Sequence, residues 1–297
     1  MPTKRCRCEN PQAQHKLRAL LKDLRMLLTL GLGLSALLVY ATAIFFLWRR
    51  LPALRHGETP SKSPALAAAL VGAVLHAGVL ASCACDSDGI DLGVLKAISL
   101  SGLVTLLIVL VSSLRQPLEN LLLPVLPLTM LALSAQLAWP TAPQNIIGHQ
   151  PALEIHIMLS ILAYSLFTLA ALQALLLANQ HHALHARRPS GFAHILPPLE
   201  DMETLLFRMI GAGFVLLTLA LLTGFMYLEN IFAQHLVHKT VLSIIAWAVF
   251  GALLIGRYSM GWRGQTAVRW TLSGYAVLLL AFIGSKVALE WVLGVQH

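Results

Sequence analysis

Charge is scarce in this sequence, and negative charge is scarcest. Only 11% of the 297 residues are charged, with 13 Asp and Glu against 21 Lys and Arg. A water-soluble domain carries about 25% charged residues, so a globule of this length would lack the polar side chains to cover itself. Cysteine is nearly absent as well. The four present form two Cys-x-Cys pairs, Cys6/Cys8 and Cys83/Cys85. No Cys-x-x-Cys-His and no paired Cys-x-x-Cys occurs, so the usual spacings for zinc and for covalent haem attachment are missing. One intervening residue is also poor disulfide geometry. Ser, Asp and Glu form no nucleophile triad or carboxylate pair. The chemistry to expect is binding and positioning rather than enzymatic turnover.

What the chain does have is apolar length. Hydrophobic residues make up 57% of it, the mean hydropathy is +0.74, and the apolar residues fall into blocks divided by short polar segments. A helix needs about 20 apolar residues to cross a bilayer core. Eight blocks qualify: 26–48, 65–83, 93–113, 118–138, 153–178, 207–228, 237–256 and 270–293. The fold expected is therefore all-α, a polytopic integral membrane bundle of about eight transmembrane helices. Pro124 and Pro127 predict a kinked or partly unwound fourth span.

Lys and Arg set the orientation. Arg49, Arg50, Arg55, Lys62, Arg115, Arg187, Arg188, Arg257, Arg263 and Arg269 all fall in one alternating set of loops. The other set (84–92, 139–152, 229–236 and 294–297) holds none, and its first member carries Asp86, Asp88 and Asp91. The basic loops thus face the cytoplasm, with both termini outside. This placement also accounts for the net charge of +8 without nucleic acid. One segment disagrees: residues 1–25 carry Lys4, Arg5, Arg7, Lys16, Arg18, Lys22 and Arg25 on the outer side. Met26 follows directly, so residues 1–25 are read as a basic extension outside the natively translated chain, and 26–297 as a single transmembrane domain.

Ionisable groups inside spans default to functional candidates. His156 and His238 open the fifth and seventh spans at the outer boundary, and His76 lies roughly 10 Å deeper in the second by the helical rise. Lys96, Lys239 and Lys286 fall in the outer halves of their spans, and Glu290 follows Lys286 by one turn. Imidazoles from facing helices can hold haem iron axially, and lysines at this depth suit its propionates. The bland alternatives are polar helix caps for His156 and His238, a helix–helix hydrogen bond for His76, and snorkelling for the lysines. His181, His182 and His185 are read as solvated residues of a cytoplasmic loop. Trp262 is read as an interface anchor, with Arg263 fixing orientation.

The stretch from Glu154-Ile155-His156 to Tyr164-Ser165 resembles the histidine-bearing span of the cytochrome c assembly membrane proteins, the CcsA/CcmC/HemX-like group. So do His238-Lys239-Thr240 through Trp247, Gly256-Arg257-Tyr258, Gly261-Trp262-Arg263-Gly264, and Arg269-Trp270 through Lys286. Over 26–138 the echo is looser, chiefly His76 with Leu100-Ser101-Gly102. The match is greatest with the small YpjD branch. The resemblance implies a haem-handling, multi-pass protein of the bacterial inner membrane in which His156 is the outer-face iron ligand and His238 opens the helix after the haem-binding loop. Larger members carry a tryptophan-rich motif in that loop. Here Glu229 to Val237 contains no tryptophan, which argues against lyase activity and leaves haem binding in place. The function expected is a cytochrome c assembly-type protein that binds or handles haem at the outer face, with His156 and His238 as iron ligands and His76 as a deeper alternative. Lipid, haem and other membrane proteins of cytochrome biogenesis are the expected partners. The rival readings are a transporter gated at Pro124 and Pro127, and an accessory subunit docking through Gly31/Gly33 and Gly211/Gly213.

Overall fold

The computed structural model describes residues 11–55, 60–84, 90–91, 93–114, 119–139, 145–146, 151–185, 197–227 and 234–287. They form eight helices: α1 (Pro11–Arg55), α2 (Ser63–Ala84), α3 (Val94–Ser113), α4 (Glu119–Ala138), α5 (Pro151–His185), α6 (Leu199–Tyr227), α7 (Gln234–Met260) and α8 (Gln265–Val287). The only strands among these residues are the two-residue β1 (Ile90–Asp91) and β2 (Asn145–Ile146), paired antiparallel. Seven helices, α1 to α7, are long and apolar enough to cross a membrane.

Among the described residues each of the eight expected blocks is helical, the last part of the eighth, 288–293, lying outside them, and most helices run past their apolar limits. The apolar window marks the hydrocarbon core, whereas backbone hydrogen bonding continues wherever side chains permit a helix. α1 extends back through Lys16, Arg18, Lys22 and Arg25 to Pro11. α5 runs on to His185, so His181, His182 and His185 occupy its last turns rather than a loop. α4 continues as one helix through Pro124 and Pro127. In a bundle, neighbouring helices can accommodate the missing N–H groups that would break an isolated helix.

The helices pack as two four-membered rings. In the first, α1 touches α2 and α4, and α3 touches α2 and α4. In the second, α5 touches α6 and α8, and α7 touches α6 and α8. Contacts of α5 with α3 and α4 join the rings. At the junction, the Ser165 hydroxyl donates to Ser101 O at 3.1 Å.

Each ring has an aromatic centre made possible by glycine. Tyr40 of α1 is fully buried, and a β-carbon on Gly72 of α2 would come within 2.5 Å of its ring. In the second ring Phe167 of α5 and Phe250 of α7 stack across the diagonal with centroids 3.9 Å apart. Gly213 of α6 lies against Phe167 and Gly274 of α8 against Phe250. Gly33 likewise makes room for Leu137, whereas Gly31 and Gly211 face open space. Thus only one member of each proposed glycine pair is an internal packing position.

The α7–α8 turn contains two glycines with positive φ, Gly261 at 67° and Gly264 at 61°, a region costly for other residues. Between them Trp262 folds back over Gly256 and lies 5.2 Å from the Trp270 ring. Trp262 is half-buried in this packing. Gly264 N–H donates to Glu203 Oε1 at 2.8 Å, and Arg257 donates to Trp262 O at 3.2 Å, so α6 fastens the turn.

Candidate functional site

The upper end of each ring, where α1, α3, α5 and α7 begin, holds the sequence-predicted histidines. Helical spacing puts His156, Ser160 and Tyr164 on one face of α5, at i, i+4 and i+8. The His156 ring turns toward α6, and its Nδ1 lies 2.8 Å from Ala220 O and 3.3 Å from Thr223 Oγ1. A carbonyl oxygen can only accept, so Nδ1 carries the proton and donates. In the neutral ring that leaves Nε2 with its lone pair. Among the described residues, no hydrogen-bond partner of Nε2 occurs.

Gly224 makes this close approach possible. A β-carbon there would stand 2.9 Å from His156 Cε1 and 3.3 Å from Nδ1. Below the imidazole, the Tyr164 ring meets Phe282 of α8 with centroids 5.1 Å apart, and its hydroxyl donates to Leu278 O at 3.3 Å. Thr168 and Tyr275 close the next layer through a 2.9 Å hydroxyl contact. Lys239 of α7 stands above, with Nζ 5.8 Å from the Phe282 ring centroid, and its charge is near enough to act on His156. The upper end of the second ring therefore brings together one imidazole lone pair, one exposed ammonium group and an aromatic base.

His76 occupies a different setting. It is fully buried in α2, with Nδ1 3.3 Å from Tyr40 Oη and Nε2 2.8 Å from Ser99 Oγ. A neutral imidazole has one donor and one acceptor, and two hydroxyls from two helices satisfy both. Using His76 as a metal ligand would require breaking one of these bonds. Lys96 lies in the first turn of α3, half-buried. His238 lies in the second turn of α7 and Lys286 in the last turn of α8. Both side chains, like Cys85 and Glu290, fall outside the described residues.

The sequence reading missed the groups that orient His156. Ala220 acts through its backbone and Gly224 by the absence of a side chain, so neither has a chemical signature of its own. Thr223 did carry a signal, being a hydroxyl within the apolar run Leu219 to Met226.

Residues 63–293 match the family described as cytochrome C assembly protein. The chain is similar to the inner membrane protein YpjD of Escherichia coli K12, 34% identical over 263 residues, which are 86% of this chain and 96% of that protein. It is also similar to the cytochrome c biogenesis protein CcsA of Prochlorococcus marinus strain MIT 9515, 31% identical over 110 residues, 36% of this chain and 34% of that one. Protein HemX of Brevibacillus brevis is 26% identical over 131 residues, 43% of this chain and 48% of its own length. No solved structure matches the chain. By the extent of these matches and its apolar helices, this chain is a multi-pass inner-membrane protein belonging to the cytochrome c assembly family.

Proposed function

We propose that the protein binds haem at the outer face of the inner membrane, with His156 as an axial iron ligand. The carrying observation is the imidazole itself. Its Nδ1 is bound to Ala220 O at 2.8 Å, the kind of contact that fixes tautomer and ring direction in metal-ligating histidines. The donor set fits the group: a neutral nitrogen for iron, a cation for a propionate, and aromatic rings beneath an apolar macrocycle. Lys239 is near enough for its charge to act on His156, and Lys96 and Lys286 are further propionate partners on this reading. His238, early in α7, would hold the iron as a second ligand. Bound haem would supply an iron centre whose spin state and affinity its axial ligands set. The chain's own contribution is to bind and orient it.

Membership of a cytochrome c assembly family supports haem as the ligand, and the CcsA and HemX relatives carry names from the same setting. The outer placement rests on the distribution of Lys and Arg, which leaves the loops 139–152 and 229–236 without either. Handling haem, rather than joining it to an apocytochrome, fits the tryptophan-free segment 229–237.

The test is the absorption spectrum of protein purified from haem-replete cells, then of the same protein titrated with haemin. A Soret band that weakens or turns high-spin in His156→Ala and His238→Ala, and partly returns with added imidazole, is expected. Absence of any Soret band in the wild type under both conditions would leave an accessory membrane subunit as the better reading.

A further inference from the structure

Gln136 of α4 is only 8% exposed, and its Oε1 has no hydrogen-bond partner among the described residues. Native proteins rarely leave such an atom unmet, and a bound water or ion is a common reason. A β-carbon on Gly102 would lie 3.5 Å from Ala132 Cβ and 3.5 Å from Thr129 Cα, so α3 and α4 touch there. The two helices run in opposite directions. Toward the upper end of the ring, Ser99 comes three residues before Gly102 and Gln136 four residues after Ala132. One turn above the Gly102 contact, helical register therefore sets Ser99 and Gln136 against the same seam. Ser99 is fully buried as well, and no direct hydrogen bond joins it to Gln136 Oε1.

Tyr40, His76 and Ser99 are linked by two hydrogen bonds, 3.3 Å at Nδ1 and 2.8 Å at Nε2. Two hydroxyls and a neutral imidazole bring three protons to those two bonds, so one hydroxyl proton is left over. In one tautomer Nδ1–H donates to Tyr40 Oη, Ser99 donates to Nε2, and the spare proton belongs to Tyr40. Tyr40 is fully buried against Gly72 and has no second hydrogen-bond partner among the described residues. In the other tautomer Tyr40 donates to Nδ1, Nε2–H donates to Ser99 Oγ, and the spare proton is on Ser99. Thr105, Thr129 and Ser165 return their hydroxyl protons to a carbonyl one turn earlier. Ser99 makes no such bond among the described residues, its hydroxyl being turned to His76. The second tautomer thus puts the spare donor on the residue that shares a seam with the spare acceptor.

We propose that a single ordered water bridges Ser99 Oγ and Gln136 Oε1 inside the first ring, and that this bridge fixes His76 as its Nε2–H tautomer. Ser99 donates to the water, and the water donates to Gln136. Buried waters hold about two to four such bonds, and these residues supply two. The occupant is small, because α3 and α4 are already in van der Waals contact one turn below, at Gly102. It must accept one hydrogen bond and donate another. Water does both, whereas a metal cation cannot accept from Ser99 and an anion cannot donate to Gln136. The completed chain runs Tyr40, His76, Ser99, water, Gln136, taking one side chain from each of α1, α2, α3 and α4. The proposal is independent of the haem reading of the second ring.

The experiment uses full-length protein in lipid bilayers, with nitrogen-15 histidine, under magic-angle-spinning NMR. His76→Gln identifies the His76 signals by difference. Wild type should show a protonated Nε2 and a bare Nδ1 at His76, with magnetisation passing from water to the Nε2 proton. Gln136→Leu, similar in size but without the acceptor, should reduce that transfer about threefold or more. A protonated Nδ1 in wild type would overturn the proposal, because the spare proton would then lie on Tyr40. Water transfer that is absent from wild type, or unchanged in Gln136→Leu, would overturn it equally. Should Gln136→Leu fail to fold, the wild-type spectra alone still decide both the tautomer and the presence of water beside it.

Discussion

The two four-helix rings each place a histidine among neighbouring helices, and they treat it in opposite ways. In the first, His76 is fully buried and both ring nitrogens meet hydroxyls, Tyr40 on one side and Ser99 on the other. In the second, His156 is half-buried, with Nδ1 held by Ala220 O and no partner for Nε2 among the described residues. The same residue type thus has both ring nitrogens satisfied in one ring and a single nitrogen anchored in the other. An intramembrane histidine is a functional candidate by default, but hydrogen-bond accounting separates the two. A ring with both nitrogens satisfied contributes to packing, whereas a ring with one nitrogen anchored and one available resembles a positioned ligand.

The largest expected contrast lies in stability. His76→Ala leaves a cavity and removes the partner of two buried hydroxyls, at a cost of about 3 kcal/mol. His156→Ala removes a half-exposed ring and should cost about 1 kcal/mol. Thermal unfolding in detergent, followed by circular dichroism, measures both. If His156→Ala proves the more damaging variant, the division between the rings does not hold.

A second contrast uses one chemical change at two places. Gly72→Ala would drive a methyl group into the Tyr40 ring, with its β-carbon 2.5 Å from the nearest atom, and should destabilise by about 1–3 kcal/mol while leaving haemin affinity unchanged. Gly224→Ala would push on the His156 ring. It should lower haemin affinity about tenfold to a hundredfold, as disturbing the support of a metal ligand does, with a smaller change in unfolding temperature. Haemin titration beside the unfolding curve reads both, and equal affinities for the two variants would remove Gly224 from any role in positioning His156.

Smaller effects should follow at the edges of the comparison. Thr223→Val takes away the longer of the two contacts to His156 Nδ1, at 3.3 Å. Haemin affinity should fall about fivefold, which corresponds to roughly 1 kcal/mol. Ser165→Ala removes the hydroxyl that joins the rings through Ser101 and should cost about 0.6 kcal/mol, the scale of such bonds between membrane helices. A Ser165→Ala variant that alters the haemin spectrum would mean that the rings are coupled more tightly than their separate cores imply.

Much of the fold was legible because apolar length is a one-dimensional property. Each block long enough to span became a helix, and the missing detail lay at the ends, where α1 begins at Pro11 and α5 continues to His185. Polar residues do not stop a helix, so the hydropathy window fell short there. The contacts of Trp262 were not legible, because the turn between Gly261 and Gly264 folds it against Gly256 and Trp270. At the site, His156, Lys239 and His76 were visible as costly groups in apolar helices. Their different surroundings were not visible, because Ala220 O, Tyr40 and Ser99 meet them from distant parts of the chain.

The central claim is that the second ring, through His156, holds haem and the first ring, through His76, does not. Wild type, His156→Ala and His76→Ala should be reconstituted with haemin in nanodiscs and compared by absorption spectroscopy at equal concentrations of folded protein. A Soret band of near wild-type position and intensity is expected for His76→Ala. For His156→Ala a weakened or high-spin band is expected, restored in part by added imidazole. Loss of the band in His76→Ala with a normal band in His156→Ala would contradict the account and move the iron into the first ring.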